Sequence, residues 1–274
     1  MTQSKVWFIT GCSKGLGRVL AEEVLKKGDQ VAATARDVKT LADLVSKGAK
    51  AYTLDVNDEA GVKSVTAKIV SDFGRICVLV NNAGYGLTGA IEETSDAEAR
   101  AQMDTNVFGV LNCCRAVLPV MRKQKSGHFL QIASVAGWSA APGLGIYNAS
   151  KFALVGLSEA LSLEVGALGI KVTIIEPGPF RTEWAGSSMV DAKLKIADYA
   201  ATAHQTAKHL HGVSGKQEGD PVKAAKAMIT AVEAPKPPLH LPLGAFAVER
   251  IRAKMARAEK DIAAWEKVAL DTAF

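Results

Sequence analysis

Cysteine is scarce and unpatterned. Cys12, Cys77, Cys113 and Cys114 are the only four in 274 residues, with no C-x-x-C among them, which removes a disulfide framework and leaves reduced thiols in or near a core. No apolar run approaches the roughly 20 residues of a membrane span, and Met1-Thr2-Gln3-Ser4-Lys5 leads directly into an apolar segment without a secretory pattern. A cytoplasmic protein with no membrane span is expected. Charge of one sign is also lacking: 33 Lys plus Arg face 28 Asp plus Glu, a net +5, too modest and too dispersed for nucleic acid to be the expected partner. The basic stretch of Arg250, Arg252, Lys254, Arg257 and Lys260 is diluted by Glu249, Glu259 and Asp261 and reads as a solvated helix face. His204, His209 and His211 form the one histidine group. Positions 209 and 211 point to different sides of a helix, and no cysteine or carboxylate pattern completes a ligand set, so no metal site is expected.

What is present is enough apolar material, 48% of residues against 22% charged, to bury one large core. Strand-like segments near 5–10, 30–35, 49–54, 76–81, 127–133 and 170–175 alternate with helical ones, and a seventh lies near Leu239-His240-Leu241. Alternation of this kind predicts an α/β fold over residues 1–274, a Rossmann-like doubly wound parallel sheet of about seven strands with helices on both faces. The runs Cys77-Val78-Leu79-Val80 and Val172-Thr173-Ile174-Ile175 suit strands buried on both sides.

The first strand ends in Thr10-Gly11-Cys12-Ser13-Lys14-Gly15-Leu16-Gly17 and runs into a helix. Glycines there let backbone N–H groups approach an anion, and the helix N-terminus adds a partial positive charge, so strand, turn and helix together suit a pyrophosphate. The spacing T-G-x-x-x-G-x-G differs from the commoner G-x-G-x-x-G, and a tight turn without a ligand is the alternative. About twenty residues on, where such folds test the adenosine ribose, the second strand ends in Arg36-Asp37. Arg36 and Lys14 offer two cations to a 2′-phosphate, which predicts NADP(H) in preference to NAD(H). Asp37 is the competing group, able to take a 2′-hydroxyl instead.

Tyr147 and Lys151 stand four apart at the start of a long helical segment and share one face. An ammonium beside a phenol favours phenolate, drawing a pKa of roughly 10 toward neutrality.

Together these motifs resemble the short-chain dehydrogenase/reductases, in the compact single-domain branch with T-G-x-x-x-G-x-G and Y-x-x-x-K, from about Lys5 to Thr182. The resemblance implies that Asp55 and Val56 contact adenine, that Asn82, Ala83 and Gly84 close the fourth strand beside the cofactor, and that Pro177, Gly178, Phe180 and Thr182 order the nicotinamide. It also implies Ser134, Tyr147, Lys151 and Asn106 as the catalytic set, with Asn106 helping to hold a relay water linked to Lys151. Gly11, Ser13, Gly15, Leu16 and Gly17 would complete the phosphate cradle. Ser134 could instead bond its local backbone, and Asn106 could satisfy a buried carbonyl.

The expected reaction interconverts a hydrophobic ketone or aldehyde and its alcohol by hydride transfer, Tyr147 serving as general acid/base and Ser134 as a second donor to the carbonyl oxygen. The alternative is an NADP(H)-binding sensor with incidental catalysis. Trp138, Leu144, Phe180 and Trp184 are expected to line an apolar pocket for a small hydrophobic substrate. Residues 183–219 read as a lid-like insertion of one or two helices, and 244–270 as a helical extension whose apolar positions must pack on its own body or on a neighbouring subunit. By resemblance the chain is expected to form a homodimer or homotetramer.

Overall fold

A computed structural model of the chain describes residues 4–272. Seven strands form one sheet: β1 (Val6–Ile9), β2 (Gln30–Ala35), β3 (Lys50–Thr53), β4 (Val78–Asn81), β6 (Gly127–Ile132), β7 (Ile170–Pro177) and β9 (His240–Leu243). Two short ones, β5 (Gly86–Thr88) and β8 (Met189–Asp191), pair only with each other. The order in the large sheet is β3-β2-β1-β4-β6-β7-β9, and every pairing in it is parallel. The chain therefore winds outward from β1 to β3, then returns to β4 and winds the other way. Loops leaving β1 and β4 diverge, and a crevice opens at the carboxyl ends of those strands.

Period-two alternation divides the core between the two faces of the sheet. On β1, Trp7 and Ile9 face α1 (Gly15–Lys26) and α8 (Pro221–Glu233), while Phe8 faces α3 (Glu59–Phe73), α5 (Gly109–Gln124) and α6 (Gly145–Val165). Each fully buried large side chain contributes about 1.5–3 kcal/mol, so both helical layers are fixed by the strands they cover. Helix starts are set by side chains: Asp58 accepts from Gly61 N–H, Ser95 and Glu98 form a reciprocal box at α4 (Asp96–Met103), and Asp220 receives Val222 and Lys223 N–H. The remaining helices are α2 (Ala42–Ser46), α7 (Ala203–Gly212) and α9 (Ala245–Leu270).

The seven strands and their parallel arrangement match the expectation from sequence. β5 and β8 are additions, three residues each, too short for an alternation to be visible. The insertion is accordingly one helix, α7, together with a strand and two 3₁₀ turns, Glu183–Ala185 and Ala197–Tyr199. The C-terminal extension is a single 26-residue helix with only Ala247 and Ile251 buried. Its outer apolar residues do not pack on the body of the chain. Among the described residues no helix is long and apolar enough to cross a membrane.

Candidate active site

A cleft of about 920 Å³ opens at the carboxyl ends of the strands, bounded by Gly11–Leu16 on one side and by Trp184, α7 and the start of α9 on the other. The end at the glycine turn is made by close backbone packing. Thr10 Oγ1 accepts from Asn82 N–H and Ala83 N–H, both at 3.0 Å, while the Asn82 amide donates to the Thr10 and Gly11 carbonyls at 2.8 and 3.0 Å. This locks the β1 turn to the β4 turn. Gly11 has φ 70°, a left-handed conformation that favours glycine. A Cβ on Gly17 would stand 2.8 Å from both the Asn82 amide carbon and the Gly11 carbonyl oxygen. Helix α1 begins with no acidic residue in its first turn and, unlike α3, α4 and α8, with no side-chain cap. Its uncapped N–H donors face the cleft beside Ser13, Lys14 and Gly15, a cradle suited to a pyrophosphate.

The end of the cleft beyond β2 is walled by Arg36, Leu54, Asp55 and Val56. Arg36 is exposed on the wall, and Lys14, which also lines the cleft, donates from Nζ to Ser187 Oγ at 2.9 Å. The Asp37 carboxylate instead accepts from Lys39 N–H at 3.0 Å, capping its own turn. Asp37, the acid expected to compete with Arg36, is thereby engaged by its own turn.

At the cleft floor, α6 presents Tyr147 and Lys151, buried at 4% and 8% exposure. Ser134, whose hydroxyl accepts from Ala136 N–H at 3.0 Å, also hydrogen-bonds the Tyr147 phenol. Lys151 donates to the Ile132 carbonyl at 2.7 Å and stands 5.8 Å from the centroid of the Tyr147 ring. Here the expected electrostatics are corrected. Burial pushes the Tyr147 phenol up to about 12, opposed only by its bond with Ser134, and burial draws Lys151 down to about 8. Desolvation penalises each charged form more than the pair's mutual attraction favours it, so the phenol holds its proton at neutral pH. Asn106 sits in a π-helical turn, Asp104–Phe108, 1% exposed. Its amide donates to the Tyr85 carbonyl and Ser150 Oγ and accepts from Tyr85 N–H. The fold brings Ser134, Tyr147 and Lys151 into the cleft and places Asn106 behind it, holding the Tyr85 loop and the α6 backbone side by side.

Ala83, Gly84, Pro177, Gly178, Phe180 and Thr182 all reach the cleft, as do Leu144 and Trp184. The Trp184 ring lies 5.1 Å from that of Tyr147. Trp138 does not line it. Its indole donates to Glu176 at 2.6 Å and packs edge-on against His240, because a buried N–H needs a partner and Glu176 supplies the one at hand. Residues that the sequence does not mark as part of the wall are Thr206, His209 and Leu210 from α7, Val213 just after it, and Phe246 and Arg250 from α9. Arg250, expected on a solvated face, donates to the Ala140 carbonyl at 3.2 Å and borders the cleft. No motif singles out these positions, since only the return of a distant insertion and tail brings them to the site.

The insertion is tied down through the segment after β5. Glu93, 1% exposed, accepts from Ile196 N–H at 2.6 Å, from Ala90 N–H at 2.8 Å and pairs with His204 at 2.7 Å. Burial alone would raise its pKa, but these partners outweigh it and bring the carboxyl to about 2. A carboxyl depressed on folding lends stability that is full above its unfolded value of 4.5 and drains away as pH falls toward 2. Glu93→Gln is expected to loosen the 196–204 segment by roughly 1–2 kcal/mol, read as faster amide exchange at Ile196 with little change at β4. Unchanged exchange would show that the carboxylate does not hold the insertion.

The short chain dehydrogenase family profile matches residues 5–193. The chain is 42% identical over 250 residues to oxidoreductase BOA17 of Botryotinia fuckeliana, covering 90% of this chain and 91% of that one. A short-chain dehydrogenase from Streptomyces avermitilis superposes with a TM-score of 0.94 at 39% identity, all of both chains being covered. A Burkholderia phymatum short-chain dehydrogenase/reductase in complex with NAD matches at TM-score 0.83 and 25% identity over 94% of this chain and 95% of that one. A Burkholderia cenocepacia short-chain dehydrogenase in complex with NADP matches at 0.75 and 25% over 95% and 97%. With a family match over residues 5–193 and relatives that share its length and its doubly wound sheet, the chain belongs to the short-chain dehydrogenase family of oxidoreductases.

Proposed function

We propose that the chain is an NADP(H)-dependent oxidoreductase that interconverts a hydrophobic ketone or aldehyde and the corresponding alcohol, with Tyr147 as general acid/base. The observation that carries this is a buried phenol at the floor of an apolar cleft, hydrogen-bonded with Ser134 and beside an uncapped, glycine-lined helix N-terminus. Structural neighbours in complex with NAD and with NADP support a nicotinamide cofactor. When bound, such a cofactor supplies or accepts the hydride at carbon. Gly11, Ser13, Lys14, Gly15, Leu16 and Gly17 would hold its phosphates, Asp55 and Val56 its adenine, and Asn82, Ala83, Gly84, Pro177, Gly178, Phe180 and Thr182 the remainder.

The chain's own residues then act on charge. As negative charge grows on the carbonyl oxygen, Tyr147 Oη gives its proton to that oxygen and Ser134 Oγ donates a hydrogen bond to it, a pair of donors fixed before the reaction. Lys151 places a positive charge beneath the phenol, limiting the charge that Tyr147 must bear once deprotonated. Leu144, Trp184, Val190, Leu210, Val213 and Phe246 exclude water and favour an apolar substrate.

Preference for NADP(H) rests on Arg36 and Lys14 at the adenosine wall and on the engagement of Asp37 by its own turn. Titration with NADPH and with NADH, followed by turnover of a panel of hydrophobic ketones, tests the reading. Tight NADPH binding with no turnover across the panel would favour the sensor. Arg36→Asp is expected to weaken NADPH by roughly ten- to a hundredfold, the size of a charge-assisted contact, and to change NADH by less than about threefold. An unaltered ratio would move the 2′-phosphate contact to Lys14.

A further inference from the structure

Helix α9 is anchored at its start, where Ala247 and Ile251 are buried, and then leaves the body. From Arg252 onward every described residue except Ala258 is exposed, and Met255, Ile262 and Trp265 are 57%, 62% and 66% exposed. Yet the exposed stretch is patterned. Val248, Ile251, Met255, Ala258, Ile262 and Trp265 succeed one another at alternating steps of three and four, the spacing of a seam between two helices packed side by side. An amphipathic helix gains little stability in water unless its apolar stripe is covered.

We propose that the stripe is covered by α9 of a second copy of this chain, running antiparallel. The charges beside the seam select that partner and direction. Arg252 and Glu259 lie on one flank and Lys254 and Asp261 on the other, each pair seven residues apart. A two-fold antiparallel copy sets each Arg252 beside the other copy's Glu259 and each Lys254 beside its Asp261, so both flanks close with opposite charges. A parallel copy would bring Asp261 against Glu266, acid on acid. In the antiparallel register Met255 meets the second copy's Ala258, a large side chain against a small one. Acids on both flanks also disfavour an anionic lipid surface.

The test is sedimentation velocity of the full chain over a concentration series. Lys254→Asp and Asp261→Lys should each weaken self-association roughly tenfold, since each charge occurs twice about the two-fold axis. The exchanged pair Lys254→Asp with Asp261→Lys should restore it. Met255→Asp with Ile262→Asp should abolish this association step, and because all four positions are exposed, unfolding temperature serves as the control for folding. A seam variant that associates like wild type, or an exchanged pair no better than the single changes, overturns the proposal. So does a wild-type chain that stays monomeric and binds phosphatidylserine vesicles, which would give the face to lipid.

Discussion

Tyr147→Phe is expected to lower turnover by roughly 10²–10⁴-fold, the range set by loss of a positioned proton donor, while NADPH affinity stays within about twofold. The change removes one oxygen and leaves the ring in its packing against Trp184, 5.1 Å between centroids. Because the phenol is 4% exposed and its pKa is raised to about 12, wild-type Tyr147 is fully protonated across the physiological range and competent as an acid. The variant has no proton to give, and Ser134, which keeps its bond to Ala136 N–H, is left as the sole hydroxyl donor. Steady-state rates with the best ketone of the panel and calorimetric titration with NADPH separate the two effects. Turnover near wild type would remove Tyr147 from the acid role.

The features of the site legible in sequence are those that geometry allows few residues to satisfy. A turn at which Gly11 has φ 70° and Gly17 has no room for a Cβ must be written as a glycine motif, and two groups on one helix face must be spaced like Tyr147 and Lys151. Arg36 can be placed because a doubly wound sheet fixes where the carboxyl end of its second strand lies. Trp138 cannot, since its orientation is decided by Glu176, 38 residues away. Nor can Arg250 or the face of α7 be found, because their place at the cleft depends on the path of an insertion held by Glu93 and by the β5–β8 pairing. The Tyr147 shift runs opposite to the expectation from spacing for a related reason. Spacing brings the ammonium near the phenol, but burial, which sets the dielectric, is known only once the fold encloses them.

That enclosure makes Lys151 the site of a conflict between stability and activity. Burial lowers its pKa from 10.5 to about 8, so between those values the folded chain binds fewer protons than the unfolded one. Stability contributed at this position therefore rises as pH increases from 8 to 10.5, and below pH 8 the full penalty of a buried ammonium applies, about 3 kcal/mol. Lys151→Met keeps the length and volume of the stem and removes the charge. Against this stands the loss of the 2.7 Å bond to the Ile132 carbonyl, worth about 1.5–3 kcal/mol for a charged donor. At pH 7 the variant is expected to be as stable as wild type or up to about 2 kcal/mol more so, and relative to wild type to lose on the order of 2–3 kcal/mol of stability by pH 10. Urea unfolding of both proteins between pH 6 and 10 reads this, ionisation of the unfolded Tyr147 phenol near pH 10 being common to the two proteins. A difference that does not move with pH would mean that the ammonium is not held at a cost. Turnover should fall severely in the variant at every pH, and the two results together would say why a charge sits where the fold disfavours it: beneath a phenol that must become negative, a buried cation is more useful to the reaction than a methionine is to the core.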